Sequence, residues 1–327
     1  MKVLRFLPVI GIVLFVFILW NIDLHRIYHT MLALNPVFIL TALLMQALVI
    51  ALKAYKWNIL VKPYSREFPL SRFVSSWLVG FSIGIITPGR LGDLARAYYL
   101  RARLSLGNAL TTVVIDRIID VLVLFLLSVL GILGFVGIYA VGFDYLTIIL
   151  MLGGFFAVFC VLMFMVSRKE TMRRLAKPIF RRFVPERHKN KARKIFHDFY
   201  TGLSRMKKTK RSVALSLLIC IFSWILCLFQ TYVLSLSLGL NIPFTFILCV
   251  MPVVTLLDAL PVSFSGLGTR DAALIFFMGF ISLSPENAVS LSILILTFNY
   301  LLIAAIGFIL WLREPITLRD YRQKLRG

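Results

Sequence analysis

Residues 212–257 run for 46 positions without an Asp, Glu, Lys or Arg. A helix needs roughly 20 apolar residues to cross the hydrocarbon of a bilayer, so this run alone suffices for two passes. Further uncharged runs cover 30–52, 121–143, 145–167 and 287–312. Apolar residues make up 60% of the chain and charged ones 15%, against about 45–50% and about 25% in soluble domains. The expected class is an all-α polytopic membrane protein in the cell membrane, a single transmembrane domain over 1–327.

The net charge of +22 raises the question of nucleic acid, and its placement answers it. Between Arg168 and Arg211 stand 17 Lys or Arg and 3 acids, a net of +14. A basic loop between apolar spans is what the positive-inside rule gives for a cytoplasmic segment, so no nucleic-acid partner is expected. The same rule orients the rest. Lys2 and Arg5 precede the apolar run 6–22, which has no small-residue cleavage site before Asn21-Ile22-Asp23. It is expected to be a retained first span that starts inside. Span 36–55 returns, and Lys53, Lys56, Lys62, Arg66 and Arg72 form a basic inside segment. Span 109–138 leaves again, 145–166 returns, 168–211 is the basic cytoplasmic loop, 212–238 leaves, and 286–312 returns to a basic tail.

Two stretches fit this parity only if they enter and leave on one side. Residues 71–107 are broken at Thr87-Pro88-Gly89-Arg90-Leu91-Gly92-Asp93, and 244–284 at Pro261-Val262-Ser263-Phe264-Ser265-Gly266-Leu267-Gly268. Each is expected to be a re-entrant hairpin. The fold is then about six full transmembrane helices plus two hairpins, with span–hairpin–span at 36–138 and again, inverted, at 212–312. Both termini would be cytoplasmic. Inverted repeats with broken helices meeting near the midplane are a common transporter plan.

Irregular backbone at membrane depth is tolerated only within protein or beside a wet cavity. Pro88 suits a first helical turn with Thr87 as its cap, and Gly89 and Gly92 permit close backbone approach. A helix start deep in the bilayer, together with Arg90, makes an attractive anion site. Asp93, Arg96 and Arg103 fall on one face of the return helix. In the next span Asp116, Arg117 and Asp120 lie within five residues. An ionised group in hydrocarbon costs at least about 2.5–3.5 kcal/mol, so pairing is expected. In the second unit Asp258 precedes the break, and Arg270 and Asp271 follow Gly266 and Gly268. Two readings stay open for these groups: pins between helices, or a substrate site. The candidate site is Arg90, Asp93, Arg96, Asp116, Arg117, Asp120, Arg270 and Asp271. Its hairpin tips are Thr87, Pro88, Gly89, Gly92, Pro261, Gly266 and Gly268.

Little else in the chain carries chemistry. Cys160, Cys220, Cys227 and Cys249 lie in apolar runs without paired spacing, which argues against zinc or a disulfide framework. His25, His29, His188 and His197 show no ligand spacing. The phosphate-loop, serine-elbow and zincin motifs are absent. No cofactor, no metal and no catalytic residue is expected.

The order Thr87-Pro88-Gly89-Arg90-Leu91-Gly92-Asp93 with Arg96-Ala97-Tyr98, then Asp116-Arg117-Ile118-Ile119-Asp120, then Gly266-Leu267-Gly268-Thr269-Arg270-Asp271 resembles the flippase-like family. This is the transmembrane region of lysylphosphatidylglycerol synthases, which also occurs as stand-alone membrane proteins. The resemblance covers about 5–312. Where that family often has Glu-Arg, this chain has Asp116-Arg117. Where it often has Pro-Gly-Gly-Leu-Gly and a Glu, Phe264-Ser265 precede Gly266, and Asp271 stands for the Glu. The chain ends at Gly327, so the resemblance implies lipid translocation and not lipid aminoacylation. The implied partners are membrane lipids, anionic phospho- or polyprenyl lipids above all. The alternatives are a membrane-embedded lipid-modifying enzyme and a non-transporting scaffold that recruits a partner through its basic loop.

Overall fold

The computed structural model describes residues 7–65, 68–101, 103–139, 153, 189–258, 263 and 265–313. Among them every regular element is helical. In order these are α1 (Leu7–Trp20), α2 (Leu24–Leu32), α3 (Pro36–Val61), α4 (Leu70–Ile86), a 3-10 segment (Pro88–Leu100) and α5 (Leu106–Tyr139). There follow α6 (Lys189–Lys208), α7 (Lys210–Ser237), α8 (Phe244–Asp258), α9 (Thr269–Gly279) and α10 (Pro285–Leu296). A π turn (Thr297–Leu301) then leads into α11 (Leu302–Arg313).

Four described helices are long and apolar enough to span a bilayer: Pro36–Val61, Leu106–Tyr139, Lys210–Ser237 and Pro285–Arg313. Their outward faces carry exposed Leu44, Leu130, Phe222 and Phe308, as lipid-facing surfaces do. The expected crossing at 6–22 is met by an apolar helix whose described part runs from Leu7 to Trp20. The expected crossing at 145–166 lies outside the described residues. The limbs α4 and α8 have 17 and 15 residues. At about 25 Å α4 falls short of a bilayer core of about 30 Å.

The helices start where backbone chemistry directs. Asn35 caps α3 by accepting from the Val37 N–H at 3.0 Å, with Pro36 in the first turn. Ser284 caps α10 the same way, ahead of Pro285. Pro lacks the N–H that a first turn leaves unpaired.

The spanning helices pack in reciprocal, antiparallel pairs. α3 lies against α7: Gln46 meets Gln230 near one end and Lys56 meets Cys220 towards the other. α4 lies against α11, where a Cβ on Gly307 would collide with the Leu78 carbonyl and the Ser82 hydroxyl is 2.8 Å from the Ala304 oxygen. α8 lies against α5, where a Cβ on Gly131 would collide with the Cys249 carbonyl. So α4 crosses α11, and α8 crosses α5, backbone against backbone. Lipid tails are as apolar as leucine, so close approach of small residues, not exclusion of water, holds such crossings together.

The span expected to end near residue 55 is longer: α3 continues to Val61, carrying Lys53 and Lys56 with it. The basic segment 168–211 has helical structure of its own. Residues 189–208 form the amphipathic helix α6 docked on α5, with Gly107 against the Ile195 carbonyl and Gly202 against Thr111. Its charged face, including Arg193, Lys194, Arg205 and Lys208, is exposed. Tyr64, just past α3, clasps this helix by donating to the Gly202 carbonyl at 2.6 Å. Burial pushes the Tyr64 phenol up to about 12, against the opposing pull of Arg205, so it stays a donor at neutral pH.

Candidate functional site

The first break is built by glycine and threonine. The Thr87 hydroxyl accepts from the Gly92 N–H at 2.7 Å, bridging the bend. Gly92 rests on the Ile83 carbonyl, where any Cβ would collide. The return limb is a 3-10 segment rather than an α-helix. Residues three apart eclipse in that geometry, so Asp93 and Arg96 share the buried face. Arg103, expected on the same face, lies beyond the segment's end and is exposed.

That face meets α5 and α3 in a closed cluster. The Arg96 guanidinium donates to Asp116 at 2.6 Å and lies over the Trp57 ring, 4.6 Å from its centroid. Arg117 pairs with Asp93 at 2.7 Å. Lys56 pairs with Asp116 at 3.0 Å and with Asp120 at 2.6 Å. The Cys220 thiol sits 3.2 Å from Asp120. Three cations thus face three carboxylates. Five of the six residues are buried, and the Arg117 side chain is 28% exposed. Lone charges at this depth are costly, but a balanced set with short contacts is held firmly.

The second cluster surrounds the other break. Asp258 ends α8, and its carboxylate packs on Gly266, which sits at φ +81° where a side chain is strained. Arg270, on α9, donates to the Ser292 hydroxyl at 2.9 Å and the Ser265 carbonyl at 3.2 Å, and pairs with Asp258 at 3.5 Å. The Tyr300 hydroxyl donates to Asp258 at 3.1 Å, and its ring faces the guanidinium. Asp271 accepts from the Gly268 N–H at 2.8 Å, so it serves as a helix cap in the manner of half a capping box. The side chain of Arg90 and the residue Pro261 fall outside what the structure describes. The structure therefore divides the sequence-derived set. Asp93, Arg96, Asp116, Arg117 and Asp120 come together, and Arg270 and Asp271 form a separate group.

Between the clusters lies a cavity of ≈ 110 Å³, room for several waters at about 10–15 Å³ each. Asp258 and Tyr300 form part of its wall, and Lys53 and Trp224 another part. Trp77, Phe81, Leu228 and Met251 make it largely apolar, with Gln46, Thr255 and Asn299 as polar points. The Lys53 ammonium lies over the Trp224 ring, 4.8 Å from its centroid.

Lys56 and Lys53 are the residues that sequence reasoning placed elsewhere. The available signal was the apolar stretch Trp57-Asn58-Ile59-Leu60-Val61, which continues the helix past both lysines. They interrupt a span rather than end it, and a lysine inside a span is by default functional or paired.

Helices of spanning length with lipid-facing apolar surfaces, enclosing balanced ion clusters, define a polytopic helical membrane protein. Residues 5–307 match the family model of the lysylphosphatidylglycerol synthase transmembrane region, and the chain belongs to that family. It is 26% identical over 316 residues to a UPF0104 membrane protein of Methanothermobacter thermautotrophicus, covering 92% of each chain. It is 24% identical over 314 residues to one of Methanocaldococcus jannaschii, covering 93% of this chain and 92% of that one. With one of Pyrococcus horikoshii the identity is 25% over 307 residues, covering 89% and 90%.

Proposed function

We propose that the chain is a lipid translocator that passes an anionic headgroup through the cavity between its two halves. The halves, 36–138 and 212–312, would be inverted repeats, with 189–208 and both termini on the cytoplasmic face of the cell membrane. What supports the inversion is the reciprocal antiparallel packing of α3 on α7, α4 on α11 and α5 on α8. The observation that carries the function is the cavity itself. It places an ammonium, a carboxylate and several amide or hydroxyl groups among aromatic walls at membrane depth, where polar groups mark substrate paths. The hairpin tips, with Arg90 at the first, would guide the headgroup, and tilting of one half against the other would open the cavity to each leaflet.

The test is reconstitution into vesicles carrying a trace of fluorescent phosphatidylglycerol, with dithionite added outside. In protein-free vesicles the inner-leaflet label is protected. The protein should expose it, and protection equal to that of empty vesicles would sink the proposal.

A further inference from the structure

Asp258 and Lys53 both line the cavity, yet their situations differ. Asp258 is compensated by Arg270 and by the Tyr300 hydroxyl. Among the described residues no carboxylate forms an ion pair with Lys53, whose ammonium lies over the Trp224 ring. Nor is Lys53 at the membrane edge. It stands eight residues before the end of α3, about 12 Å of helix, with its ammonium over a ring of the cavity wall. Two further donors share that wall. The Trp224 indole N–H is buried and has no acceptor, and the Asn299 amide makes no hydrogen bond among the described residues. Thr231 and Thr255, by contrast, donate to their own helices, at the Cys227 and Met251 carbonyls. Asp120 of the neighbouring cluster acts on Lys53 through space, but its short contacts go to Lys56 and Cys220.

We infer that Lys53, the Trp224 indole N–H and the Asn299 amide form an oxyanion subsite that takes a phosphate bearing a single negative charge. With Asp258 and Arg270 cancelling, the wall carries one net positive charge, and a phosphodiester brings one negative charge. Three donors lacking acceptors among the described residues match an oxyanion, which only accepts, and the charged donor gives the strong bond. The apolar walls from Trp77, Phe81 and Met251 suit the glycerol and acyl parts of an amphiphile. This subsite rests on the translocation reading for its purpose, but not for its chemistry.

The test is native mass spectrometry of the purified full chain with dioleoyl phosphatidylglycerol and dioleoylglycerol, which lacks the phosphate, with thermal unfolding of each variant alongside. Lys53→Met should weaken phosphatidylglycerol retention roughly tenfold or more, Lys53→Arg should restore it, and Lys62→Met, outside the cavity, should leave it unchanged. Trp224→Phe removes only the N–H and pyrrole edge. It should also lower retention, and it keeps the test open if Lys53→Met unfolds. Equal retention by wild type, Lys53→Met and Trp224→Phe overturns the subsite, as does equal retention of the two lipids by wild type. Millimolar inorganic phosphate identifies the source. Displacement of the lipid by phosphate keeps the subsite and assigns it to free phosphate, and persistence of the lipid assigns it to the headgroup. The vesicle assay separates the two levels. Absent translocation with Lys53-dependent binding removes the transport reading alone. Translocation unchanged in Lys53→Met removes the subsite alone.

Discussion

The cluster around Asp116 and the wall around Lys53 sit on the same helix, three residues apart at Lys56 and Lys53, and follow opposite logic. Lys56 meets two carboxylates within 3.0 Å. Lys53 meets an aromatic face and open space. In the first region every charge is answered, so the arrangement fixes the approach of the 3-10 segment, α3, α5 and α7. In the second the answer is incomplete, and a cavity stands where the partner would be. A membrane protein must compensate each buried charge, and where it does not do so with its own residues, a ligand can.

The largest effect should come from opening the closed cluster. Asp116→Ala strands Arg96, leaves Lys56 with Asp120 alone, and should cost about 3–5 kcal/mol, read as a large fall in thermal stability in detergent. A near-neutral result would show that the cluster is wetter and looser than its short contacts indicate. Balanced removal should be milder. Lys56→Met combined with Asp120→Asn removes one charge of each sign, and the double variant should be more stable than the sum of the single losses by about 0.5–3 kcal/mol. Strict additivity would mean that the two groups do not share one network. Smallest is Tyr300→Phe, which removes one hydrogen bond to Asp258 and should cost about 1 kcal/mol. If the comparison holds, that variant should alter lipid translocation more than its small stability loss explains, whereas a substitution in the closed cluster should change function only as far as it unfolds the protein.

Much of this was legible in the sequence. Uncharged runs mark the four described spanning helices, and the first Pro/Gly break marks where α4 stops. The pairing of Asp93 and Arg96 with Asp116 and Arg117 follows from the cost of lone charge in hydrocarbon. What escaped has physical causes. Lysines near the end of a span look the same in sequence whether they flank it or interrupt it, and only the continuation of α3 to Val61 decides. A 3-10 limb and an α-helical one both align residues three apart, but they part company by Arg103. Docking of α6 depends on Gly107 meeting Ile195 and Gly202 meeting Thr111, residues 88 and 91 positions apart in sequence, which no local pattern encodes. A cavity is a property of several helices together, so its lining residues carry no shared motif.

The π turn at Thr297–Leu301 can be viewed as a phase shifter. Upstream of it Ser292 faces Arg270, within it Tyr300 faces Asp258, and downstream Gly307 presses on Leu78. An uninterrupted α-helix advances about 100° per residue, and a π turn inserts the equivalent of one additional residue into that rhythm. The last spanning helix is thus two helices out of step by about 100°, the upstream part timed to Arg270 on α9 and the downstream part to Leu78 on α4. Any rotation at that turn would retune the cavity wall and the crossing with α4 together, from a single point in the chain.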